Sequence, residues 1–135
     1  MTDLSNIADV KIPDPHKDGL FPKAIEHYSY MIPRVDPALI EAYPFIVRGV
    51  MIMGPLEVVS AMTGATTFFE SLYTKPEIIH ELLERVTQGL IRYLSALEKI
   101  NGGHKFIMLG EHTPGQISPK HSEEFFVPYE RKISD

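Results

Sequence analysis

The feature that most constrains the fold is the stretch Thr74–Ile100, where isoleucine, leucine and valine recur every three or four positions. This spacing places them along one face of an α-helix. The apolar stripe comprises Ile79, Leu82, Leu83, Val86, Leu90, Leu94 and Leu97. Thr74 with Glu77 predicts a capping box at the start, and Asn101 or Gly102 supplies the stop. We therefore predict one long helix that spans roughly 40 Å at about 1.5 Å per residue.

A candidate strand lies on each side of this helix. Phe45–Met53 is rich in β-branched and large apolar residues and is bounded by Pro44 and Gly54. Phe106–Leu109 is apolar without alternation, which is typical of a strand buried on both faces of a parallel sheet. A helix between the two strands returns the chain so that they can lie parallel, with a right-handed crossover. The pattern predicts an α/β fold.

Shorter elements complete the prediction. Residues 1–22 contain too many turn-forming residues for a regular element and are interpreted as an extended arm. Proline and glycine then delimit the remaining helices. These are a helix from Lys23 to Met31 ended by Pro33, Pro37–Tyr43 capped by Asp36 and ended by Pro44, Pro55–Met62, Thr66–Leu72 after Gly64, and a last helix capped by Ser118 and bent at Pro128.

Polar residues follow the second strand at the edge where α/β folds place their chemistry. Glu111, His112 and Thr113 come directly after Gly110, which ends that strand. A carboxylate and an imidazole here could transfer a proton or orient a substrate, and the alternative is a solvated loop pair. We predict Glu111 and His112 as catalytic residues.

Composition excludes several classes of function. The chain has no cysteine, which removes disulfides, thiolate nucleophiles and cysteine zinc sites. None of the six histidines forms a metal-binding pair, so we predict no metal site. The net charge of -5 disfavours nucleic acid as a partner. There is no apolar run of roughly 20 residues, so we expect no membrane span and a cytoplasmic protein.

Two further sets of residues allow two interpretations each. Methionines 51, 53, 62 and 108 are interpreted as core residues, with a cofactor contact as the alternative. Tyr129 is expected to pack with its hydroxyl at the rim of the fold, and a substrate contact there is the other interpretation.

Three spacings carry a resemblance to a known family. They are Gly-Pro followed by a small-residue helix in GPLEVVSAMTG (54–64), a long helix opening with Lys-Pro-Glu at 75–77, and Ser-Pro, Glu-Glu-Phe and Pro-Tyr within GQISPKHSEEFFVPYERKI (115–133). The chain resembles the uroporphyrinogen decarboxylase family, which also contains cobalamin-dependent methyltransferases. The arm IPDPHKDGLFP (12–22) is similar to the methyltransferase-like branch.

The resemblance implies a (β/α)8 barrel of which 135 residues supply only the middle, because a full barrel needs roughly 250 residues. We therefore expect a single, incomplete barrel domain over residues 1–135. The resemblance also implies a substrate site at the barrel mouth. We predict Gly54, Pro55, Thr113 and Tyr129 as its substrate-binding residues.

Departures from the decarboxylase pattern argue against authentic porphyrinogen decarboxylation. Glu111 and His112 stand where the decarboxylases carry an aspartate and a serine, and Ala61 stands where a tyrosine is expected. The arginine-rich substrate clamp is absent from the amino-terminal stretch. The resemblance implies a corrinoid protein as partner, and zinc held by a histidine and two cysteines beyond the end of this chain.

Three hypotheses therefore remain open. The first is a domain related to corrinoid-dependent methyl transfer, inactive by itself. The second is uroporphyrinogen decarboxylation in porphyrin biosynthesis. The third is a binding or assembly module, since open barrel edges invite pairing with a second copy.

Overall fold

The computed structural model describes residues 7, 9–43, 49–103 and 106–135. Within these ranges the helices and strands follow one another as a mixed α/β chain. The helices are α1 (Phe21–Met31), α2 (Pro37–Ala42), α3 (Pro55–Thr63), α4 (Ala65–Thr74), α5 (Pro76–Asn101), α6 (Pro119–His121) and α7 (Val127–Ser134). The strands are β1 (Gly49–Met53) and β2 (Phe106–Gly110), with 3-10 turns at Ile32–Arg34 and Thr113–Gln116 and a π-helical turn at Ser122–Phe126.

The two strands are parallel neighbours in one sheet, as the sequence predicts. Of the first predicted strand, residues 45–48 lie outside the described residues, as does the end predicted for α2 at Pro44. The prediction that the second strand is buried on both faces is wrong. Phe106 is 43% exposed and Met108 is 45% exposed, whereas Ile107 and Leu109 between and after them are half-buried, because only one face of the strand is covered.

The chain divides into two compact units. The first comprises residues 1–12, 53–90 and 110–135, and the second comprises 13–52 and 91–109. Helix α5 contributes residues to both. In the second unit Val50 and Ile52 of β1 are buried, and Phe21 stacks on Tyr93 with ring centroids 4.5 Å apart.

The core of the first unit is built from the predicted stripe and its partners. Ile79, Leu82 and Leu83 of α5 are fully buried, and each such side chain contributes roughly 1.5–3 kcal/mol of transfer free energy. They pack in one cluster with Leu56, Val59, Phe68, Leu72, Phe125 and Tyr129. The predicted apolar stripe is therefore confirmed as the core-facing side of this part of α5.

The boundaries of the helices near α5 differ from the prediction in one respect. Thr74 is the last residue of α4, and its hydroxyl donates to the carbonyl oxygen of Glu70 at 2.9 Å. Helix α5 begins instead at Pro76, a residue suited to the first helical position because it has no N–H to satisfy. The predicted capping box of Thr74 and Glu77 is therefore wrong.

Other predicted helix starts are confirmed. The Asp36 carboxylate accepts from the Ala38 N–H at 2.8 Å, and the Ser118 hydroxyl accepts from the His121 N–H at 3.2 Å. Pro128 lies in the first turn of α7, directly after the π-helical turn. A wider turn at this point avoids the clash between a proline ring and the carbonyl four residues earlier.

Candidate functional site

The site is organised around the first turn of α3, where four backbone N–H positions lack a partner within the helix. The Gly54 N–H donates to the Gly110 carbonyl oxygen at 3.1 Å, which extends the pairing of β1 with β2. Pro55 has no N–H. The Leu56 and Glu57 N–H groups donate to the Glu111 carboxylate, at 3.1 Å to Oε1 and 3.0 Å to Oε2. Glu111 therefore caps α3 from a neighbouring segment of the chain.

Gly54 makes this approach possible because it has no side chain. A Cβ built on Gly54 would lie 2.1 Å from Oε1 of Glu111 and 2.6 Å from its Cγ and Cδ. Real Cβ atoms do not come so close to other atoms, so any larger residue would displace the carboxylate. Pro55 thus favours the start of the helix, and Gly54 leaves space for the Glu111 carboxylate.

Glu57 makes the reciprocal contact to the loop that carries Glu111. Its Oε2 accepts from the His112 N–H and the Thr113 N–H, each at 3.0 Å, and from the Thr113 hydroxyl at 2.8 Å. The Thr113 side chain is only 3% exposed. Two glutamates thus exchange five hydrogen bonds between α3 and the residues after β2, and they fix the loop at this position.

The two carboxyl groups have opposite protonation behaviour. The Thr113 hydroxyl, followed by the His112 N–H, lowers the pKa of Glu57 from its ordinary value, so Glu57 is ionised at neutral pH. Burial, followed by repulsion from Glu130, raises the pKa of Glu111 to about 7. The two backbone N–H donors oppose that rise without cancelling it.

Glu130 of α7 is the third acidic group at the site. Burial raises the pKa of its carboxyl group, and its negative charge in turn raises the pKa of Glu111. Glu130 Oε1 is buried, and no N–H or hydroxyl donor of the described residues reaches it. Two acidic side chains therefore share a partly dry environment, the arrangement that separates the pKa values of paired carboxyl groups.

His112 presents its imidazole to solvent. Its side chain is 79% exposed, and Nδ1 lies 3.9 Å from Oε1 of Glu57. The ring is therefore accessible to a small molecule at the edge of the site, while its backbone N–H is held by Glu57. The imidazole lies near the Glu57 carboxylate, whereas the Glu111 carboxylate accepts from the N–H groups of Leu56 and Glu57, so the two predicted catalytic side chains have different partners.

The structure brings together four of the predicted site residues besides His112. The contact between the start of α3 and the loop after β2 includes Gly54, Pro55, Glu111 and Thr113. Tyr129 has another environment: its hydroxyl lies 2.8 Å from Nδ1 of His80 and donates to the His80 carbonyl oxygen at 3.2 Å. The catalytic role of Glu111 and His112 and the substrate-binding role of the others stay predictions.

Sequence reasoning missed Glu57 and Glu130. Glu57 is the third residue of a helix that begins with Gly-Pro, a position where an acidic side chain commonly accepts from nearby N–H groups. The sequence therefore indicates Glu57 as an acceptor, but it does not identify the residues after β2 as the donors. Glu130 belongs to a polar run, Glu130-Arg131-Lys132, that resembles an ordinary solvated helix face, and only the packing of α7 reveals its contact.

A small cavity adjoins Glu57 on α3. It has a volume of about 300 Å³ and is lined by Met53, Glu57, Val58, Ala61 and Met62. The lining is mostly apolar, with one ionised carboxylate, which suits a ligand with an apolar body and a polar end. Ala61, the residue that departs from the decarboxylase pattern, is part of this lining.

Metal binding is not supported by the described part of the chain. Its histidine, aspartate and glutamate residues include no group of three or more placed to hold an ion. Among the described helices, none combines the length and apolar character that crossing a membrane requires.

Comparison with known proteins identifies the class. The family model described as "Uroporphyrinogen decarboxylase (URO-D)" matches residues 1–135. The chain therefore belongs to the uroporphyrinogen decarboxylase family.

Curated relatives agree with this assignment. Uroporphyrinogen decarboxylase of Prochlorococcus marinus (strain NATL1A) is 31% identical over 61 residues, which cover 45% of this chain and 17% of the relative. The enzyme of the same name from Desulfotalea psychrophila is 32% identical over 62 residues, 46% of this chain and 18% of the relative. The aligned part is thus less than a fifth of each relative. No solved structure matches the chain.

Proposed function

We propose that the chain forms part of a (β/α)8 barrel and that Glu111 acts as an acid or base at its mouth. Two features support the barrel: the parallel pairing of β1 with β2, and family membership over residues 1–135. The residues that follow the two strands, Gly54–Glu57 and Glu111–Thr113, are joined by hydrogen bonds. In barrels of this type the active site lies at the carboxyl ends of the strands.

One observation carries the proposed chemistry. Glu111 is a partly buried carboxyl group with a pKa of about 7, held in place by two backbone N–H donors. A general acid or base works best when its pKa is near the working pH, and a positioned group contributes typically 10²–10⁴-fold to the rate. His112 is the exposed second group, which orients the substrate or exchanges a proton with it.

The proposed reaction class is methyl transfer related to the corrinoid-dependent enzymes of the family. Glu111 and His112 in place of the aspartate and serine of the decarboxylases, and Ala61 in place of a tyrosine, support this branch. A corrinoid protein is the proposed partner and methyl donor. The residues of this chain would position a small-molecule substrate and hold or move a proton at the Glu111 carboxyl group. A cytoplasmic location is part of the proposal and rests on the acidic composition.

Uroporphyrinogen decarboxylation is the second candidate, because the matched relatives carry that name. A carboxyl group that is protonated near neutral pH could supply a proton to a pyrrole carbon when carbon dioxide leaves. This candidate uses Glu111 in the same role and differs in the substrate.

One experiment separates these candidates. The natural protein that carries these 135 residues is assayed for methyl transfer from methylcobalamin to coenzyme M, and for carbon dioxide release from uroporphyrinogen. We expect methyl transfer that falls at least about 100-fold in Glu111→Gln and remains unchanged in Glu123→Gln, an exposed residue of the π-helical turn. Turnover of uroporphyrinogen alone would overturn the methyltransferase assignment. Equal rates for Glu111→Gln and the wild type would remove Glu111 from the catalytic residues.

A binding or assembly module is the non-catalytic alternative. Met51 is 71% exposed and Met53, Phe106 and Met108 are each more than 40% exposed, so the two strands present apolar side chains to solvent. Sedimentation or light scattering tests this alternative directly. A monomer of 15.3 kDa at micromolar concentration would contradict association through the strands.

A further inference from the structure

The cavity beside Glu57 is formed largely by one face of α3. Its lining comprises Met53, Glu57, Val58, Ala61 and Met62, all of which belong to the first unit. The last four share a face because residues 57 and 61, and residues 58 and 62, are each one helical turn apart. Ala61 has a single methyl group, so the space beside the Glu57 side chain stays open. The volume of about 300 Å³ is at the lower end of the range for small-molecule sites.

The two carboxylate oxygens of Glu57 have different environments. Oε2 accepts three hydrogen bonds, from the N–H groups of His112 and Thr113 and from the Thr113 hydroxyl. Three donors to one oxygen favour the ionised form of the group. Oε1 has no hydrogen-bond donor among the described residues, since Nδ1 of His112 lies 3.9 Å away, beyond hydrogen-bond distance. Glu57 therefore brings to the cavity a negative charge with unused capacity to accept hydrogen bonds.

The first turn of α3 does not attract an anion to this cavity, although helix N-termini commonly do. Each N–H group of residues 54–57 already donates to an acceptor, and two of them donate to the Glu111 carboxylate. In the part of the chain that the structure describes, neither a lysine nor an arginine forms an ion pair with Glu57. The net charge at the edge of the cavity is therefore negative, and the complementary ligand is a cation.

We propose that the cavity binds an organic ammonium ion, whose charged nitrogen donates to Oε1 of Glu57 and whose short apolar body lies against Val58 and the two methionines of the lining. An ammonium group supplies both the N–H donor that this oxygen lacks and the positive charge that complements the carboxylate. Methionine side chains adapt to apolar ligands of irregular shape because they are unbranched and flexible. The inference goes beyond the proposed function, because it does not require Glu111 to act as an acid or base.

Three probes that share one aromatic ring and differ in charge test the proposal. Benzylammonium is the cation, benzyl alcohol is the neutral analogue and phenylacetate is the anion. Each is titrated at neutral pH into the natural protein that carries these 135 residues, and binding is followed by ligand-observed NMR. We expect benzylammonium to bind at least about 10-fold more tightly than either other probe, the factor that a hydrogen bond between charged groups contributes. Equal Kd values for the three probes, or tighter binding of phenylacetate, would overturn the proposal.

Glu57→Gln tests the charge. The variant keeps the size of the side chain and an acceptor oxygen for the loop after β2, and it removes the negative charge. We expect the affinity for benzylammonium to fall about 10-fold, to that of benzyl alcohol, and the affinity for benzyl alcohol to stay unchanged. Glu123→Gln, at an exposed residue outside the cavity, is the matched control and should bind all probes as the wild type does. Wild-type affinity for benzylammonium in Glu57→Gln would show that the carboxylate does not hold the cation.

Ala61→Leu tests the location and decides the question even if Glu57→Gln fails to fold. Leucine is a good helix former at this exposed position, and its side chain would occupy part of the cavity. We expect all three probes to bind at least about 5-fold more weakly. Ala65→Leu, at the exposed start of α4, is the matched control and should leave binding unchanged. Unchanged binding in Ala61→Leu would place the probes elsewhere and overturn the proposal. None of these titrations involves turnover, so a failure of the proposed methyl transfer would leave their result unchanged.

Discussion

Glu57 and Glu111 lie on two segments that face each other, the first turn of α3 and the loop after β2, and each caps backbone N–H groups of the opposite segment. Their pKa values nevertheless shift in opposite directions. Glu57 accepts from three donors, one of them a hydroxyl, and its only imidazole neighbour, among the described residues, is His112. Glu111 accepts from two donors and lies beside two acidic groups.

The difference shows that capping by itself does not decide whether a carboxyl group is ionised. A third donor and contact with solvent favour the carboxylate at Glu57. Burial and like charges outweigh two donors at Glu111. The same exchange of hydrogen bonds therefore gives one group that is fixed in its charge and one that can change its charge near neutral pH.

Among the variants considered, Gly54→Ala is expected to have the largest effect on stability, because it disrupts the hydrogen bonds between α3 and the loop after β2. The added methyl group would occupy the position of the Glu111 carboxylate and expel it from the N–H groups of Leu56 and Glu57. An unsatisfied buried donor costs about 1–3 kcal/mol, so we expect a loss of about 2–4 kcal/mol in the free energy of unfolding. Urea unfolding followed by circular dichroism measures it.

Gly115→Ala is the matched control, because a Cβ at Gly115 meets no atom within 4 Å. Its free energy of unfolding should change by less than about 0.5 kcal/mol. Equal stability of the two variants would mean that Gly54 does not seat the Glu111 carboxylate.

The second prediction concerns pH. Glu111 has a folded pKa of about 7 and an ordinary value of 4.5, so the folded state binds more protons between these values. Its contribution to stability is therefore complete below about pH 4.5 and is lost as the pH rises to about 7. Allowing for solvent screening, we expect a loss of about 1–2 kcal/mol over this window.

Glu57 provides a comparison, because its contribution to stability should depend on pH in the opposite direction. The pKa of Glu57 is lowered, so its contribution is present above about pH 4.5 and is lost as the pH falls through its folded value. Unfolding curves of Glu111→Gln should differ from wild type in slope between pH 4.5 and 7, and those of Glu57→Gln should differ below pH 4.5. A Glu111→Gln profile parallel to wild type in its window would contradict the raised pKa.

The third prediction removes one donor from Glu57. Thr113→Val keeps the shape of the side chain and deletes the hydroxyl, which is the largest cause of the lowered pKa. We expect the Glu57 midpoint, measured by carboxyl carbon NMR, to rise toward 4.5 and the free energy of unfolding to fall by about 1 kcal/mol. Thr66→Val, at an exposed position of α4, is the control and should change neither quantity.

The sequence predicts the regular elements well and their surroundings less well. The stripe of α5, the starts of α2 and α6 and the parallel pairing follow from local patterns: periodicity, capping residues and the strand-helix-strand order. The exposure of Phe106 and Met108 does not, because burial of a strand depends on which elements cover the sheet. The start of α5 also differs from the prediction, because Pro76 is the first helical residue and Thr74, two residues before it, ends α4.

For the candidate site, the sequence places Glu111, His112 and Thr113 after a strand but does not identify their partners. Glu111 contacts residues 54 and 55 positions away, and these contacts fix which carboxyl group is buried. The position of Glu57 in the first turn of a helix predicts an acceptor but not its donors, and Glu130 does not stand out by spacing. A pKa shift depends on such distant neighbours, so the site's position is predictable from the sequence and its protonation is not.

The smallest expected effect concerns Tyr129. It tests whether a second polar contact, besides the hydrogen bonds between α3 and the loop after β2, contributes to the stability of the first unit. Tyr129→Phe deletes the hydroxyl that bonds His80 and leaves the ring in the core. We expect a loss of about 0.5–1.5 kcal/mol in the free energy of unfolding, the usual value of one hydrogen bond. Tyr73→Phe, at a tyrosine that is 74% exposed, should be neutral. If Tyr129→Phe leaves stability unchanged but raises KM in the natural protein, the hydroxyl contacts substrate, as the sequence predicted. A stability loss with unchanged KM assigns the hydroxyl to the His80 contact alone.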